Sequence, residues 1–195
     1  WNKDVCTNAA QNGHLYVIQW ARAQDPPCDW DVTVCSNAAE KGHLDVLQWL
    51  RAQDPPCPWN EEVCRLIAVS SNLKMLKYVR SQNPSCPWDE NVCYGAVQHG
   101  HLDILQWARS QNPPCPWDEN VCKHATQNFN LNILQLVHAQ DHPCSWDDTS
   151  NTFPDTIKPN IEILIQARSQ DPPCDWDDDV CRDALIPSID TVKWL

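Results

Sequence analysis

The twelve cysteines of this 195-residue chain are the residues whose type and spacing most suggest chemistry. They form two series that repeat mostly every 29 residues, one lying two residues before a recurring tryptophan and the other five residues after it. The first series is Cys28, Cys57, Cys86, Cys115, Cys144 and Cys174, and the second is Cys6, Cys35, Cys64, Cys93, Cys122 and Cys181. This regularity is compatible with a ladder of disulfides, with thiolate metal sites, or with small apolar side chains in a core.

The spacing between the two series argues against zinc. Structural zinc sites usually take paired ligands about two to four residues apart, whereas Cys28 and Cys35 are separated by six residues and have no nearby histidine. We therefore expect the second series to occupy the buried face of a helix, beside Ala38 and Ala39, where cysteine acts as a small apolar residue. A disulfide between Cys28 and Cys35, repeated along the chain, is the alternative.

The repeated histidines and paired carboxylates are interpreted as structural. One turn position holds histidine in three repeats and asparagine in three others, at His14, His43, His101, Asn72, Asn130 and Asn160. Both side chains bond a turn backbone, but asparagine cannot transfer protons as histidine does. Pairs such as Glu61 and Glu62 fall in the first turn of a predicted helix, where negative charge is favourable. Since no phosphate loop or nucleophile elbow is present, the sequence predicts no enzyme and no cofactor.

Charge and composition limit the kinds of partner. The chain has 14 Lys and Arg against 26 Asp and Glu, a net charge of -12, which repels phosphate backbones and anionic lipids. It has no apolar run of about 18 residues to span a bilayer, and no signal peptide at its start. We therefore expect protein partners, no nucleic acid, no membrane insertion, and an intracellular location in the cytoplasm or a large assembly. Because the chain opens and closes inside a repeat, we also expect it to be a fragment.

A tryptophan that recurs every 29 residues identifies the structural unit. In the repeat that begins at Trp88, Asp89 is placed to cap a helix that should end at Gly100, because glycine readily adopts the left-handed conformation that ends helices. Apolar residues spaced three and four apart then predict a second helix from His101 to Trp107. A pair of prolines ends that helix and favours a stiff, extended linker.

The chain is predicted to be one array of these units over residues 1–195. Neither helix buries its apolar stripe alone, so neighbouring repeats must supply the core. About seven helix-turn-helix repeats fit, beginning near Trp1, Trp30, Trp59, Trp88, Trp117, Trp146 and Trp176, with the last one truncated. The sequence thus predicts an all-α fold. The tryptophans should pack between repeats, whereas a second aromatic row at Trp20, Trp49, Tyr78 and Trp107 should be only partly covered.

The turns resemble those of the ankyrin-repeat family. Residues 37–50 read Asn-Ala-Ala-Glu-Lys-Gly-His-Leu-Asp-Val-Leu-Gln-Trp-Leu, and residues 11–20 and 98–107 share the Gly-His turn and the aliphatic second helix. The resemblance implies a solenoid of paired helices that binds proteins. The usual ankyrin period is about 33 residues, so the shorter period here predicts shortened, Pro-rich fingers with little or no strand. This Cys- and Trp-rich form is similar to arrays of protists and large DNA viruses.

Three repeats lack the turn glycine, and Ser71, Phe129 and Pro159 stand near its place. A non-glycine residue there either adopts the left-handed conformation, which costs roughly 1 kcal/mol, or changes the turn. Phe129, if exposed on such a turn, is a contact candidate.

The variable positions on the first helix and its turn are the candidates for partner binding, as the resemblance to ankyrin proteins implies. With Phe129, they are Asn8, Lys41, Arg65, Tyr94, His99, Lys123, His124 and Arg182. The third repeat also carries Lys74, Lys77 and Arg80, which suggests either a basic patch or a solvated helix face. We expect a non-enzymatic protein-interaction scaffold or a structural subunit of a larger assembly. The alternatives are a substrate-recruiting adaptor for a modifying enzyme and a thiol-based redox or metal-binding protein.

Overall fold

The computed structural model describes residues 3–118, 120–121, 124–125 and 131–138. Within these residues the regular elements are α-helices, and no β-strand occurs. Consecutive helices form pairs: α1 Lys3–Gln11 with α2 Leu15–Arg22, α3 Val32–Glu40 with α4 Leu44–Arg51, α5 Glu61–Val69 with α6 Leu73–Ser81, and α7 Glu90–Gln98 with α8 Leu102–Arg109. A later helix, α9, spans Leu131–His138. The prediction of an all-α chain is confirmed for this part of the protein.

The helices are short. The longest among those described have nine residues, and none of them is long and apolar enough to cross a membrane. The repeats predicted to begin near Trp146 and Trp176 lie outside the described residues.

In the second, third and fourth repeats, the first helix begins after a tryptophan and a polar cap residue. These helices are α3, α5 and α7. Asp31 accepts a hydrogen bond from the Thr33 backbone N–H at 2.9 Å, and Asp89 accepts one from the Asn91 N–H at 3.1 Å, as predicted for Asp89. These bonds satisfy backbone donors that have no partner inside the helix. Asn60 occupies the same position before α5 but makes no side-chain cap bond, and its Oδ1 is buried without a hydrogen-bond partner.

The two helices of each pair meet in a tight turn that requires a left-handed backbone. Gly13, Gly42 and Gly100 have φ angles of 70°, 80° and 76°. In the third repeat Ser71 adopts the same conformation with a φ of 58°. The absence of glycine there therefore leaves the turn unchanged but adds backbone strain that glycine avoids. Phe129, at the equivalent position, lies outside the described residues.

Each described linker between helix pairs begins with a bend and continues without regular secondary structure. A cis peptide bond precedes the first proline in each described linker, at Asp25-Pro26, Asp54-Pro55, Asn83-Pro84 and Asn112-Pro113. The tertiary amide before proline has only a weak preference for trans, which makes the cis form accessible there.

Packing follows the order of the repeats. The first helices α1, α3, α5 and α7 contact one another in sequence, and each contacts the second helix of its own pair. Both helices of a pair supply fully buried residues to a continuous core, such as Cys35 from α3 and Leu47 and Leu50 from α4. An added Cβ at Gly95 would lie 3.1 Å from Val69 Cγ2, so the missing side chain allows α7 to approach α5 closely. The second layer forms in the same way, since α2 contacts α4.

Candidate functional site

The cysteines of the described residues are free and buried, and their thiols pair within a repeat. Among the described residues, the cysteines of the second series lie in the core, as predicted, but so do those of the first. The Cys35 Sγ lies 3.8 Å from the carbonyl oxygen of Cys57, 22 residues later, and the Cys57 Sγ lies 3.5 Å from the carbonyl oxygen of Asp31, four residues before Cys35. The same thiol-to-carbonyl contact recurs in the next two repeats at 3.9 and 4.0 Å. The structure does not pair Cys28 with Cys35, because Cys28 contacts Cys6 instead.

Pairing and burial both disfavour the thiolate. The hydrogen bond with Cys35, followed by burial, raises the pKa of Cys57 far above the ordinary thiol value. Burial, with the Cys28 thiol contact, raises the pKa of Cys6 to about 12. Because the thiolate is the nucleophile and the metal ligand, these cysteines are unreactive while the fold is closed. In the described part of the chain, no three His, Cys, Asp or Glu side chains come together to hold a metal ion.

A repeated arginine, which the sequence analysis did not single out, ties each linker to the tryptophan that follows it. Arg80 Nη1 donates a hydrogen bond to the Cys86 carbonyl at 2.6 Å, and its guanidinium carbon lies 3.9 Å from the centroid of the Trp88 ring. We call this arrangement the arginine clamp. It recurs with bonds of 2.5–2.7 Å and ring distances of 3.8–4.2 Å at Arg22, Arg51, Arg80 and Arg109. The signal in the sequence was an arginine eight residues before each of these tryptophans.

The four repeat tryptophans that the structure describes are half-buried, and each packs at a junction, as predicted, under the clamp arginine of the preceding repeat. Trp30 packs edge-on against Trp49 with ring centroids 6.1 Å apart, and Trp88 packs in the same way against Trp107 at 6.0 Å. The second aromatic row is partly covered, as expected, and its first member, Trp20, is 43% exposed. The tryptophan rings therefore mainly stabilise the packing of the array.

Two of the turn histidines join neighbouring repeats. His43 Nε2 lies 3.2 Å from the Gln11 carbonyl oxygen, and His101 Nε2 lies 3.0 Å from the Val69 carbonyl oxygen. Because a carbonyl only accepts, Nε2 is the protonated nitrogen that donates each bond. In the third repeat Asn72 instead accepts a bond from a backbone N–H of its own second helix at 3.0 Å. These side chains bond backbone groups of the helices beside the turns, and the two histidine bonds join neighbouring repeats.

An ion pair adds another link between the first two repeats. Lys3 Nζ lies 2.7 Å from Asp31 Oδ2. The hydrogen bond from Lys3, supported by bonds from Thr33, lowers the pKa of Asp31 to about 2. Both side chains are well exposed, so solvent screening limits the pair to about 1 kcal/mol or less.

Two charged candidates for partner binding that lie in the described residues, Arg65 and Lys41, are already paired within the chain. Arg65 donates bonds from Nε and Nη2 to the Glu62 carboxylate at 2.7 and 2.5 Å, which raises the pKa of Arg65 and lowers that of Glu62. Lys41 Nζ lies 2.8 Å from Glu40 Oε1. A partner's carboxylate would have to compete with these intramolecular carboxylates.

The basic residues of the third repeat lie on both of its helices. Lys74 and Lys77 are exposed on α6, as a solvated helix face requires. Arg65 is ion-paired on α5, and Arg80 belongs to an arginine clamp. The exposure of the two lysines agrees with a solvated helix face, whereas Arg65 and Arg80 are engaged by other side chains of the chain.

The aromatic candidates, in contrast, come together. The rings of Tyr94 and His124, from consecutive repeats, meet edge to face with centroids 4.7 Å apart and an interplanar angle of 84°. The exposed His99 stacks on His101 with centroids 6.1 Å apart. Tyr94 and His124 are both half-buried, so part of each ring faces solvent. We call Arg65, Tyr94, His99 and His124 the first-helix surface.

The remaining candidates do not join this surface in the described residues. Asn8 is exposed on α1, three repeats before Tyr94. Lys123, Phe129 and Arg182 lie outside the described residues.

Comparison with known proteins adds no relative from which a function can be transferred. Function must therefore be inferred from the chain's own contacts. No family model matches the chain, and neither curated proteins nor solved structures give a match.

Proposed function

We propose that the chain is a non-enzymatic protein-interaction scaffold, or a structural subunit of a larger assembly, built as a solenoid of ankyrin-like helix pairs. The observation that carries this proposal is the edge-to-face contact of Tyr94 and His124 at 4.7 Å. Earlier repeats hold Thr7, Ser36 and Arg65 at the position of Tyr94. Packing of the repeats therefore does not require an aromatic residue at this position. The Tyr94–His124 pair is thus available to bind a partner.

The first-helix surface has the features of a preformed binding patch. Its rings are carried by helices that are packed into a continuous core, so little conformational entropy is lost when a partner docks. Tyrosine and arginine are also enriched among the residues that dominate interface energies. Because Arg65 is held by Glu62, the aromatic pair should contribute more than the guanidinium. Recognition here involves no covalent chemistry.

This proposal is tested by cross-linking in an extract of the cells that contain the protein, followed by affinity purification and mass spectrometry. A stable protein partner should co-purify, and Tyr94→Ala should weaken its binding at least tenfold, which corresponds to about 1.4 kcal/mol. Changing Arg65, Tyr94 and Lys123 together should weaken it further. Far-UV circular dichroism should show that the helix content of each variant is unchanged.

Tyr16→Ala is the matched control. Tyr16 is 78% exposed on α2, in the second-helix layer, so its loss should leave binding unchanged. Binding that survives Tyr94→Ala but fails with Tyr16→Ala would move the interface to the other layer. The absence of any stable partner would count against the scaffold itself.

A further inference from the structure

The cysteine pairs form a regular feature that the interaction surface does not use. In three successive repeats the first-helix thiol contacts the carbonyl of the linker cysteine 22 residues later, at 3.8–4.0 Å. The linker thiol in turn lies 3.3–3.5 Å from the carbonyl of the residue that precedes the first helix. The cysteines concerned are Cys35 with Cys57, Cys64 with Cys86, and Cys93 with Cys115. The first repeat follows the same rule, since Cys6 contacts Cys28.

Two thiols without a third ligand suit covalent pairing better than metal binding. A structural zinc ion takes four ligands, and the described residues bring no cluster of three ligating side chains together. A disulfide, by contrast, needs only two sulfur atoms within reach and a compatible backbone. The Cys35 thiol contacts the Cys57 carbonyl and the Cys57 thiol contacts the Asp31 carbonyl, four residues before Cys35, so the two side chains lie next to each other.

We propose that these pairs are oxidation sites at which a hydroperoxide closes one disulfide per repeat, between cysteines 22 residues apart. The thiolate of one cysteine attacks the peroxide O–O bond, forming a sulfenic acid and releasing one water. The partner thiol then attacks that sulfur, so that the S–S bond forms and a second water leaves. In total the two thiols lose two protons and two electrons, which reduce hydrogen peroxide to two waters.

Burial of the thiols makes this oxidation slow in the closed fold. The position of the linker makes a disulfide form between the two cysteines of one repeat. The thiols are fully buried, and burial together with pairing keeps them protonated. Reaction therefore depends on local opening of the linker that carries the second cysteine. Once one sulfur is oxidised, the nearest thiol on reclosing is its partner in the same repeat, because the arginine clamp returns the linker to the same place.

The bond would fasten the end of each linker to the first helix of its own repeat. Closing a loop restricts the unfolded chain, so the oxidised array should resist heat and denaturant more than the reduced one. The links stay inside single repeats and leave the contacts between neighbours unchanged. This inference is independent of the partner-binding proposal, because the pairs lie in the core.

Trypsin digestion of the oxidised protein tests the pairing directly. Cleavage after Lys and Arg yields residues 23–41, 52–65 and 81–109, and each of these peptides contains one linker cysteine and the following first-helix cysteine. A pairing 22 residues apart links one peptide to the next. A pairing between sequence neighbours such as Cys28 and Cys35 would remain inside one peptide.

The folded protein is treated with hydrogen peroxide, its free thiols are blocked at low pH, and the digest is analysed by mass spectrometry without reduction. We expect peptide 23–41 joined to 52–65, and 52–65 joined to 81–109, with a loss of two hydrogens per link. Dithiothreitol should separate the peptides. Cys35→Ala and, independently, Cys57→Ala should each abolish the first link and retain the second.

Three results would overturn the inference. One is a digest with disulfides only inside peptides, or only between different molecules. Another is consumption of the thiols as sulfinic or sulfonic acids without any link. The third is a folded protein whose thiols stay reduced under conditions that fully oxidise a urea-unfolded sample.

Discussion

The residue before each first helix shows how two similar side chains behave differently in one fold. Asp89 and Asn60 occupy this position in consecutive repeats, and both residue types cap helices well. Only Asp89 makes the cap bond, whereas the Asn60 Oδ1 is buried without a partner. A buried oxygen that lacks a hydrogen bond loses about 1–3 kcal/mol of solvation. The benefit of the cap therefore depends on side-chain geometry, which residue type does not reveal.

Replacing the cap tests this difference. Asp89→Ala should lower the free energy of unfolding by about 1 kcal/mol, because the Asn91 N–H loses its acceptor. Asn60→Ala is the comparison and should not lower the free energy of unfolding, since no cap bond is lost and a buried oxygen without a hydrogen-bond partner is removed. Urea denaturation followed by circular dichroism measures both. An equal loss in the two variants would show that Asn60 caps its helix in solution.

At the scale of the helix pair, the turn glycine has two separable roles. It supplies a left-handed backbone, with φ of 70° at Gly13 and 80° at Gly42. At Gly13 it also makes room for the next repeat, because a Cβ there would lie 2.7 Å from the His43 ring. At Gly42 the nearest atom would be 3.7 Å away, on Asn72. The identity of the next repeat's turn residue thus decides how crowded a turn is.

Alanine at the two turns should separate these roles. Gly42→Ala should lose about 1 kcal/mol from the left-handed backbone alone. Gly13→Ala should lose about 1 kcal/mol more, because His43 must move away from the Gln11 carbonyl that it bonds. Thermal and urea unfolding provide the comparison. In a His43→Ala background the difference between the two glycine variants should disappear, and its persistence would refute this explanation.

At the scale of the whole molecule, the repeats depend on contacts with their neighbours. The first helices pack in sequence, histidines bond the preceding turn, and arginine clamps join each linker to the next tryptophan. Stability in such an array is approximately a sum of terms within repeats and between neighbours. The arginine clamp contributes to the stability between neighbouring repeats, because Arg80 and Trp88 belong to successive repeats.

Changing the clamp arginine should therefore weaken a junction between repeats. Arg80→Lys should lower the free energy of unfolding by about 1–2 kcal/mol, because an ammonium cannot both stack on Trp88 and keep the geometry of the bond to the Cys86 carbonyl. Lys77→Ala on the same helix is the control and should stay within about 0.5 kcal/mol, since Lys77 is exposed. Urea denaturation measures both, and equal effects would show that the clamp adds no stability.

The sequence by itself determined the helix pairs, the cap at Asp89 and the turn at Gly100. These features depend on residues close together in the sequence. A proline, a glycine or an apolar residue at helical spacing affects the backbone within about one turn of helix, so a repeated sequence pattern is enough to predict them. The structural role of the turn histidines was also readable, because Asn72 replaces them without their proton chemistry.

Only the tertiary structure decided which side chains meet across repeats. Cys28 is seven residues from Cys35 but contacts Cys6, and Arg65 is bound by Glu62 and not left free for a partner. Tyr94 and His124 were separate candidates in the sequence and are one contact in the fold. Such pairings depend on the path of the linker and on the offset between stacked helices. Both are set by packing over distances that a residue pattern does not encode.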